Sequence, residues 1–474
     1  MTRKIVIEPV TRIEGHGKVT IHLNEQGNVD KTYLHVTQVR GFEKFCEGRL
    51  FWEMPVITPR ICGICPVSHH LAAAKAGDAI LGVKLTPNAD KLRRLLHMAQ
   101  MVHSHALHFF HLASPDLIFG MEADPAKRNV IGVIAAMPDA AVKGVKLRAF
   151  GQKIIEAMGH KRVHPNAAVP GGMNRALHSD KRDEILSQID DIIADCQFAV
   201  DLFKDYCDKN GEVAESFADF KSAYLGLVDD NGNAEYYDGK LRLKDQDGMT
   251  LEDDVAPEDY LSIIEEKVED WSYLKFPYYK KMGYPAGMYR VGPLGRLNVA
   301  DGCTTPLADK EFKEFKKLGK NGILQGSLYY HYARLIEMLN CAEEIKALTG
   351  DKDICSTDIW LNSDCLNEEG VGVIEAPRGT LFHHYWVDKT GKMLKANLIV
   401  ATGHNNLAMN RAVNEVAHAF IKDGKVTEGI LNRVEVAIRC YDPCLSCSSH
   451  ALGHMPLELT IHEADGSIRQ VLRS

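Results

Sequence analysis

The sequence lacks the features by which proteins bind nucleic acid, span a membrane or hold a nucleotide. Its 474 residues carry a formal net charge of -8, and its basic residues are interspersed with acidic ones, whereas phosphate binding requires clustered basic side chains. No apolar run approaches the length of about 20 residues of a membrane-spanning helix, and we expect neither a signal peptide nor a membrane anchor. No GxGxxG or P-loop motif occurs, so we expect this chain to bind neither NAD nor flavin itself.

Twelve cysteines are present, and four form CxxC pairs at opposite ends of the chain, Cys62 with Cys65 and Cys444 with Cys447. Such a pair lets two sulfurs converge on one ion, and thiolates select zinc, iron-sulfur clusters, copper or nickel over oxygen-loving cations. Zinc is the default metal for a CxxC pair taken alone. The pairs of a zinc ribbon are separated by about 15–20 residues, whereas here most of the chain intervenes. A shared site would therefore be a product of the whole fold.

The patterning predicts an α+β protein that is mainly helical, with a bundle of long helices as its core. Small sheets are expected from an N-terminal hairpin over residues 19–36 and from the segment before the C-terminal cysteine pair. Thr86 and Pro87 are typical of a helix start, and apolar spacing predicts a long buried helix up to Pro115. Similar spacing predicts helices at 182–207, 328–348 and 405–421. The polar segment 228–257 is interpreted as a surface excursion with a short strand at 240–243.

Five motifs decide the chemistry that the cysteines serve. They are RIEGH at 12–16, RGFE at 40–43, RICGICPVSH at 60–69, EAPRG at 375–379 and DPCLSCSSH at 442–450. Together and in this order they resemble the large, catalytic subunit of [NiFe]-hydrogenases. The connecting segments 271–277 and 290–294 resemble the soluble, bidirectional, NAD-linked type most.

The resemblance implies a Ni-Fe(CO)(CN)2 centre held by both cysteine pairs. Cys62 and Cys444 would be terminal nickel ligands, and Cys65 and Cys447 would bridge nickel to iron. Thiolates and cyanides concentrate negative charge in a dry pocket, which is tolerable only beside metal ions, hydrogen-bond donors or cations. The resemblance makes Arg378 that cation, above the open coordination position.

Three further residues would surround the diatomic ligands and the bridging sulfurs. The resemblance implies that Pro377 walls the pocket, that Thr402 donates a hydrogen bond to one cyanide, and that His69 hydrogen-bonds a bridging sulfur. One departure concerns charge: many members have His-Asp-His where this chain has Ser104 between two histidines. The charge balance around Arg378 is therefore expected to differ.

The implied reaction is the reversible heterolytic cleavage of H2 into two protons and two electrons. The thiolate of Cys444 is the expected first proton acceptor, and Arg378 is a harder one because its guanidinium must first lose a proton. Glu14 would then relay the proton outward, since partial burial can raise a carboxyl pKa toward neutrality. Without the resemblance, Glu14 would be interpreted as an ordinary partner of Arg12, and Arg378 as a structural ion pair.

The resemblance also implies a magnesium or similar divalent ion near the C-terminus. Its side-chain ligands would be Glu43 and His450, completed by a backbone carbonyl close to Leu398 and by waters. Residues 1–450 would form the large-subunit domain, and residues 451–474 an extension that a dedicated protease removes after nickel insertion, which makes this a precursor sequence. We expect the extension to form a hairpin that holds the second cysteine pair away from closure. A protein that keeps it is expected to lack the assembled magnesium site.

No cysteine array in the sequence could hold an iron-sulfur cluster that carries electrons away. The expected partners are therefore an iron-sulfur small subunit, an NAD-reducing flavin module beyond it and, during maturation, nickel-insertion factors. A cytoplasmic location is expected as well, as the NAD-linked resemblance implies. One alternative keeps the chemistry but uses F420, ferredoxin or polysulfide as electron partner. Another is the metal-free quinone-chamber subunit of proton-pumping NADH dehydrogenase, a scaffold of related fold, against which all four cysteines argue.

Overall fold

The computed structural model describes residues 3–449, 458–463 and 467–473. The helices are α1 Phe42–Cys46, α2 Met54–Ile57, α3 Pro66–Leu81, α4 Pro87–Leu107, α5 Ser114–Phe119, α6 Val130–Ala136, α7 Pro138–Gly159, α8 Ser179–Leu186, α9 Ile189–Ser216, α10 Pro293–Val299, α11 Pro306–Lys317, α12 Tyr329–Gly350, α13 Ala401–His404, α14 Asn406–Phe420, α15 Glu428–Arg439 and α16 Leu445–Ser448. The strands are β1 Arg3–Ile7, β2 Gly17–Leu23, β3 Val29–Val36, β4 Ala168–Val169, β5 Gly172–Met173, β6 Ala223–Val228, β7 Lys240–Lys244, β8 Thr250–Val255, β9 Ile264–Lys267, β10 Phe276–Tyr279, β11 Tyr289–Arg290, β12 Glu369–Ala376, β13 Gly379–Val387, β14 Met393–Ile399, β15 Glu458–His462 and β16 Ile468–Arg473.

Four long helices, α4, α7, α9 and α12, pack against one another and form the helical core, as the α+β prediction expected. At the start of α4, the Thr86 hydroxyl accepts a hydrogen bond from the Ala89 amide at 3.2 Å, and Pro87 is the first helical residue. The predicted end at Pro115 is wrong, because α4 passes through a π-helical turn, His108–Ala113, into α5. Pro115 lies in the first turn of α5, where its missing amide proton costs no hydrogen bond.

Two features of this core differ from the prediction. The helix predicted at 182–207 is divided between α8 and α9. Helix α7 was not predicted, since its glycines weaken the helical pattern. Gly151 explains one of them, because a Cβ there would lie 2.4 Å from the carbonyl oxygen of Ala99 on α4. The glycine allows the two helices to approach closely.

The predicted sheets are present, and each is larger than a hairpin. Strands β2 and β3 pair as predicted, and β1 adds a third, antiparallel strand on the other side of β2. Strands β12, β13 and β14 form an antiparallel sheet against which α3 packs. Ala376 pairs with Gly379, so Pro377 and Arg378 are the two-residue turn between β12 and β13. This hairpin turn carries two of the predicted site residues.

The strand predicted at 240–243 is confirmed as β7, but the segment 228–257 is more than a surface excursion. Strand β7 pairs with β6 and β8 in a four-stranded sheet whose edge strand is β11. Leu241 and Leu243 of β7 are buried in a second, smaller core that Phe382 and Ile399 of the β12–β14 sheet also join. The polar turns hid the contribution of this strand to a core, because only alternate residues of it point inward.

The C-terminal extension forms the predicted hairpin, with β15 and β16 paired antiparallel. The largest core cluster draws residues from the N-terminal sheet, the long helices and the β12–β14 sheet, and it includes all four cysteines of the CxxC pairs. Within the described ranges, no helix combines the length and the apolar character needed to cross a membrane.

Candidate metal centre

The two CxxC pairs meet in the core. All four Sγ atoms lie within 4.8 Å of one another, and each of the four residues is at most 4% exposed. Cys62 Sγ lies 3.3 Å from Cys444 Sγ, and Cys65 Sγ lies 3.7 Å from Cys447 Sγ. Sulfurs of a tetrahedral site with metal–sulfur bonds of about 2.3 Å are about 3.8 Å apart. Cys444 Sγ and Cys447 Sγ, at 2.7 Å, are closer than that. The convergence of the four sulfurs suits metal coordination, and among the described residues no other group of histidine, cysteine and carboxylate side chains is gathered in this way.

A helix begins within or directly after each pair, the long α3 at the first and the short α16 at the second. Cys65 directly precedes α3, and Cys444 directly precedes α16. The amides of Ile64 and Cys65 donate hydrogen bonds to Cys62 Sγ at 3.2 and 3.3 Å. Backbone donors aimed at a sulfur favour its thiolate form, which is the form that binds metal.

The pKa values of the thiols are shifted by their burial and by the hydrogen bonds between them. Burial opposes charge on Cys62, but hydrogen bonds from Cys444, Cys447 and Cys65, aided by Arg378, lower its pKa well below the ordinary value. Burial raises the pKa values of Cys444 and Cys447 well above theirs. Four thiolates cannot coexist here without a compensating cation, and a metal would replace the remaining protons.

A small enclosed cavity adjoins three of the sulfurs. Its lining comprises Cys65, His69, Ala376, Arg378, Leu381, Val400, Ala401, Thr402, Cys444 and Cys447. A lone tetrahedral zinc in a structural site is closed by its four ligands and needs no such space. The four thiols fit a soft-metal centre, and the cavity, of about 10 Å³, adjoins them on one side.

Arg378 projects from the hairpin turn into this site. Its Nε donates to the carbonyl oxygen of Asp442 at 2.6 Å, and its Nη2 lies 3.0 and 3.1 Å from the carboxylate oxygens of Asp442. Its Nη1 lies 3.5 Å from the hydroxyl oxygen of Ser104. Burial opposes the charge, but Asp442 and the thiols of Cys444, Cys65 and Cys62 raise the pKa of Arg378 well above its ordinary value.

Asp442 is a residue that sequence reasoning missed. Asp442 supplies a carboxylate that faces Arg378, whereas residue 104 offers only a serine hydroxyl. Its position inside the DPC motif was visible in the sequence, and its φ of 52° is a backbone conformation that Asp tolerates better than most residues. Its contact with the hairpin turn was not visible, because 64 positions separate it from Arg378.

Glu14 connects the sulfurs with the protein surface. Its Oε2 accepts hydrogen bonds from Cys444 Sγ at 3.0 Å and from the Ser446 amide at 3.1 Å, and its side chain is partly exposed. Gly15 allows this contact, because its φ is +86° and a Cβ there would lie 2.7 Å from the Ser446 nitrogen. Arg12 instead pairs with Asp116 at 2.6 Å. The ordinary Arg12–Glu14 pair is therefore not what this structure contains.

The remaining predicted pocket residues surround the cavity. Thr402 lines it, and its Oγ1 accepts a hydrogen bond from the Cys444 amide at 2.9 Å, which leaves the hydroxyl proton to be donated into the cavity. Pro377 is buried in the hairpin turn between two lining residues, and its carbonyl accepts from Arg296 Nη2 at 3.3 Å. His69 also lines the cavity, and its Nδ1 lies 3.0 Å from His383 Nε2.

Glu43, one of the two predicted magnesium ligands, lies in a neighbouring region. Glu43 Oε1 accepts a hydrogen bond from the Leu398 amide at 2.9 Å, and a second small cavity is lined by Leu398, Lys275 and Glu266 among others. Burial opposes charge on Lys275, yet Glu266 and Glu43 raise its pKa. His450 lies outside the described residues. The carbonyl of Ser449 accepts from the Arg40 amide at 2.7 Å, so the chain reaches the Glu43 segment one residue earlier.

The hairpin of the extension does not keep the cysteine pairs apart. The sulfurs lie within 4.8 Å of one another in a chain that retains β15 and β16. The expectation that the extension prevents closure of the pair is therefore wrong for this structure. The expectation about the magnesium site stays a prediction.

Sequence profiles of known families cover most of the chain. A profile described as "Nickel-dependent hydrogenase" matches residues 40–137 and 204–450, and one described as "HoxL-like" matches residues 4–39. The NAD-reducing hydrogenase HoxS subunit beta of Cupriavidus necator is 46% identical, over 99% of this chain and 99% of that protein. A chain of the F420-non-reducing hydrogenase vhu of Methanocaldococcus jannaschii is 47% identical, over 88% of this chain and 100% of that protein.

Solved structures show the same likeness. The chain is similar to one in the crystal structure of an NAD+-reducing [NiFe]-hydrogenase in the H2-reduced state, with a TM-score of 0.92 and 47% identity, over 95% of this chain and 100% of that one. A [NiFeSe]-hydrogenase of Dm. baculatum shares the fold at 22% identity, with a TM-score of 0.76 over 95% of this chain.

Proposed function

We propose, for a chain that belongs to the nickel-dependent hydrogenase family as its large subunit, that Cys62, Cys65, Cys444 and Cys447 hold the Ni-Fe centre at which H2 is reversibly cleaved. One observation carries this proposal. Two cysteine pairs from opposite ends of the chain converge beside a cavity that a buried arginine overlooks. A lone structural metal would need neither the cavity nor the arginine.

When bound, the Ni-Fe centre would supply the heterolytic cleavage of H2 and accept two electrons. The chain's own residues would then bind the proton and transfer it toward solvent. Cys444 Sγ would hold it first, and Glu14 Oε2, 3.0 Å away, would receive it. Arg378 would remain protonated throughout, because Asp442 and the thiols stabilise its charge. Glu14 would release the proton toward solvent, to which its side chain is partly exposed.

The lining residues would orient and shield the centre. We assign Thr402 the hydrogen bond to one cyanide, since its hydroxyl proton is available on the cavity side. Pro377 would hold the hairpin turn and wall the pocket around the CO and cyanide ligands. His69 would donate a hydrogen bond to a bridging sulfur and so stabilise its thiolate.

A divalent ion, magnesium in the first instance, would lie between Glu43, His450 and a backbone carbonyl close to Leu398. The contact of Glu43 with the Leu398 amide and the approach of residue 449 to Arg40 support this position. Carboxylate, carbonyl and water oxygens are the ligands that magnesium prefers.

The extension, residues 451–474, would be removed by a maturation protease after nickel-insertion factors have loaded the centre. Two observations support this boundary. The nickel-dependent hydrogenase profile ends at residue 450, and the solved NAD+-reducing chain is matched over its whole length by 95% of this one. Removal would make residue 450 a new C-terminus beside the proposed magnesium site.

Electrons would leave through a small iron-sulfur partner subunit, then reach NAD through a flavin module, in a cytoplasmic complex. The NAD-reducing relative, at 46% identity, supports this route. A second candidate keeps the chemistry but changes the final acceptor, and the F420-non-reducing relative, at 47% identity, favours it. The cofactor content of the complex purified from its host distinguishes the two.

The test is elemental analysis and infrared spectroscopy of that complex, with Cys444→Ser as variant and Cys440→Ser as matched control. Cys440 is a buried cysteine four residues earlier that does not belong to the four-sulfur cluster. We expect nickel, CO and cyanide bands and H2 turnover in the wild type and the control, and none of them in Cys444→Ser. Stoichiometric zinc without CO or cyanide bands in the wild type would refute the proposal.

A further inference from the structure

We propose that His383 and Tyr385 are positioning residues, which fix the ring nitrogen on which His69 carries its proton and thereby aim a hydrogen-bond donor at the sulfur cluster. This inference rests on the role given above to His69. It concerns two residues of the β12–β14 sheet, and neither lines the cavity. The chemistry involved is the supply of a hydrogen bond to a metal-bound thiolate.

The three side chains form one continuous hydrogen-bonded chain. His69 Nδ1 lies 3.0 Å from His383 Nε2, and His383 Nδ1 lies 2.6 Å from the Tyr385 hydroxyl oxygen. All three residues are fully buried, and Thr58 hydrogen-bonds the Tyr385 hydroxyl behind them. Water therefore does not compete for these bonds, and the order of donors along the chain is set by its two ends.

The surroundings of His69 at the cavity determine the direction in which hydrogen bonds are donated along this chain. His69 shares its cavity with Cys65 and Cys447, where metal-bound thiolates would attract a donor and repel a lone pair. His69 must then carry its proton on Nε2 and accept at Nδ1. Acceptance at Nδ1 requires His383 to donate from Nε2, and His383 must in turn accept at Nδ1 from the Tyr385 hydroxyl.

The sheet end supports the same direction. Burial raises the pKa of Tyr385 well above its ordinary value, so the hydroxyl keeps its proton and remains a donor. A neutral phenol beside His383 Nδ1 stabilises the tautomer with the proton on Nε2. Tyr385 and His383 are two positions apart on β13 and therefore share one face of the strand, while His69 is fixed on α3.

The neighbouring histidine offers a matched control. His384 lies on the opposite face of β13, where its Nδ1 contacts the Tyr260 hydroxyl at 3.0 Å and its Nε2 contacts the Glu369 carboxylate. Its substitution removes an imidazole from the same strand without touching the chain that reaches His69. A general disturbance of the sheet would affect both positions alike.

The experiment compares Tyr385→Phe, His383→Gln, His69→Ala and His384→Gln in the purified holoenzyme. Nickel content and the infrared bands of CO and cyanide are measured beside kcat and KM for H2. We expect displaced bands in the first three variants, a kcat lower by about tenfold with KM unchanged in Tyr385→Phe and His383→Gln, and wild-type bands in His384→Gln. Should Tyr385→Phe fail to load nickel, the nickel-loaded His383→Gln enzyme is judged by the same criteria, because Thr58 also donates to the carbonyls of Met54 and His69 and so offers no selective variant.

Two negative outcomes remain distinguishable. Displaced bands in His69→Ala, with wild-type bands in the nickel-loaded Tyr385→Phe enzyme or, where that variant does not load nickel, in His383→Gln, overturn this inference and leave the role of His69 standing. Wild-type bands in His69→Ala itself overturn that role together with the inference. Displacement in His384→Gln equal to that in His383→Gln also overturns the inference, because the effect is then not carried by the hydrogen-bonded chain.

Discussion

Two buried arginines, Arg378 in the hairpin turn and Arg296 packed against it, have different surroundings. Arg296 donates to both carboxylate oxygens of Glu337 at 2.6 and 2.7 Å and to Glu375 at 2.7 Å. It also donates to the carbonyls of Ala376 and Pro377. Arg378, in the turn itself, is bound to a single carboxylate, that of Asp442, and to the Asp442 carbonyl.

The difference separates a structural cation from one that is available to a ligand. Arg296 has each of its nitrogens satisfied by fixed acceptors, so its charge is used within the chain. The charge of Arg378 is shared between Asp442 and the cysteine thiols, which raise its pKa together. Arg296 and its carboxylates form a buried ion cluster in which each charge is compensated within the fold. Arg378 also faces the cysteine thiols, so part of its charge is available to a group bound there.

The largest expected effect is the loss of stability when the ion cluster of Arg296, Glu337 and Glu375, here called the closed cluster, is broken. Arg296→Leu leaves Glu337 and Glu375 buried without their cation, which should lower the free energy of unfolding by about 3–5 kcal/mol. Denaturant unfolding of the full-length chain measures this. Arg162→Leu, at an exposed pair with Glu156, is the control, with an expected change below about 1 kcal/mol. Equal losses in the two variants would contradict the comparison.

A change at Arg378, which with Asp442 and the cysteine thiols forms the open cluster, should affect catalysis more than stability. Arg378→Lys keeps the charge but loses the planar fork that holds the Asp442 carbonyl and carboxylate together. We expect kcat per nickel to fall about 10²–10³-fold, the usual range for removal of one preorganised donor. Hydrogen uptake by the nickel-loaded complex measures it. A variant with wild-type turnover would show that the thiol-facing charge of Arg378 has no catalytic use.

The sequence predicted the parts of this comparison whose chemistry is local. A CxxC pair identifies itself through its spacing, so Cys62 was a candidate ligand from the residues alone. Glu14 and Arg378 were named only because the short motifs that contain them resemble those of a known family. Asp442 and Glu375 stand inside the same motifs, yet their partners are distant in sequence. Which arginine each carboxylate meets depends on how β12, α10 and α12 pack, and no spacing rule reports that.

The fold shows the same limit. Apolar spacing predicted helices α4, α12 and α14, and Thr86 predicted the start of α4. Helix α7 did not, because Gly151 serves a contact with α4 and not the helical pattern. The chain from His69 to Tyr385 was also invisible, since His383 carries no ligand spacing and its meaning depends on the strand's packing against α3.

The two clusters also differ in their carboxylates, and the proposed role of Glu14 in proton transfer tests that difference. Glu14 Oε2 faces a sulfur and is partly exposed, whereas Glu375 is enclosed with Arg296 and Thr380. Glu14→Gln preserves an acceptor for the Ser446 amide but cannot carry a proton, so H2 oxidation should fall about 10²-fold with nickel content unchanged. Glu14→Asp, which restores a carboxyl, should recover part of the rate. Full activity of Glu14→Gln would assign proton transfer to another group.

The smallest effect is a pH dependence carried by the closed cluster. Burial lowers the pKa of His105 to about 4, although Glu337 accepts a hydrogen bond from it and acts in the opposite direction. The unfolded chain binds this proton near the ordinary value of 6.5. The stability that neutral His105 contributes is therefore fully present above pH 6.5 and is lost as the pH falls toward 4.

His105→Gln removes this titration. Between pH 6.5 and pH 4 the free energy of unfolding of the full-length chain should fall less steeply in the variant than in the wild type, by on the order of 2 kcal/mol. His418→Gln, at an exposed histidine of α14, is the control and should give a curve parallel to that of the wild type. Denaturant unfolding at several pH values measures both. If His105→Gln also gives a parallel curve, His105 is already protonated in the folded state, and the cluster around Arg296 is less closed than its hydrogen bonds indicate.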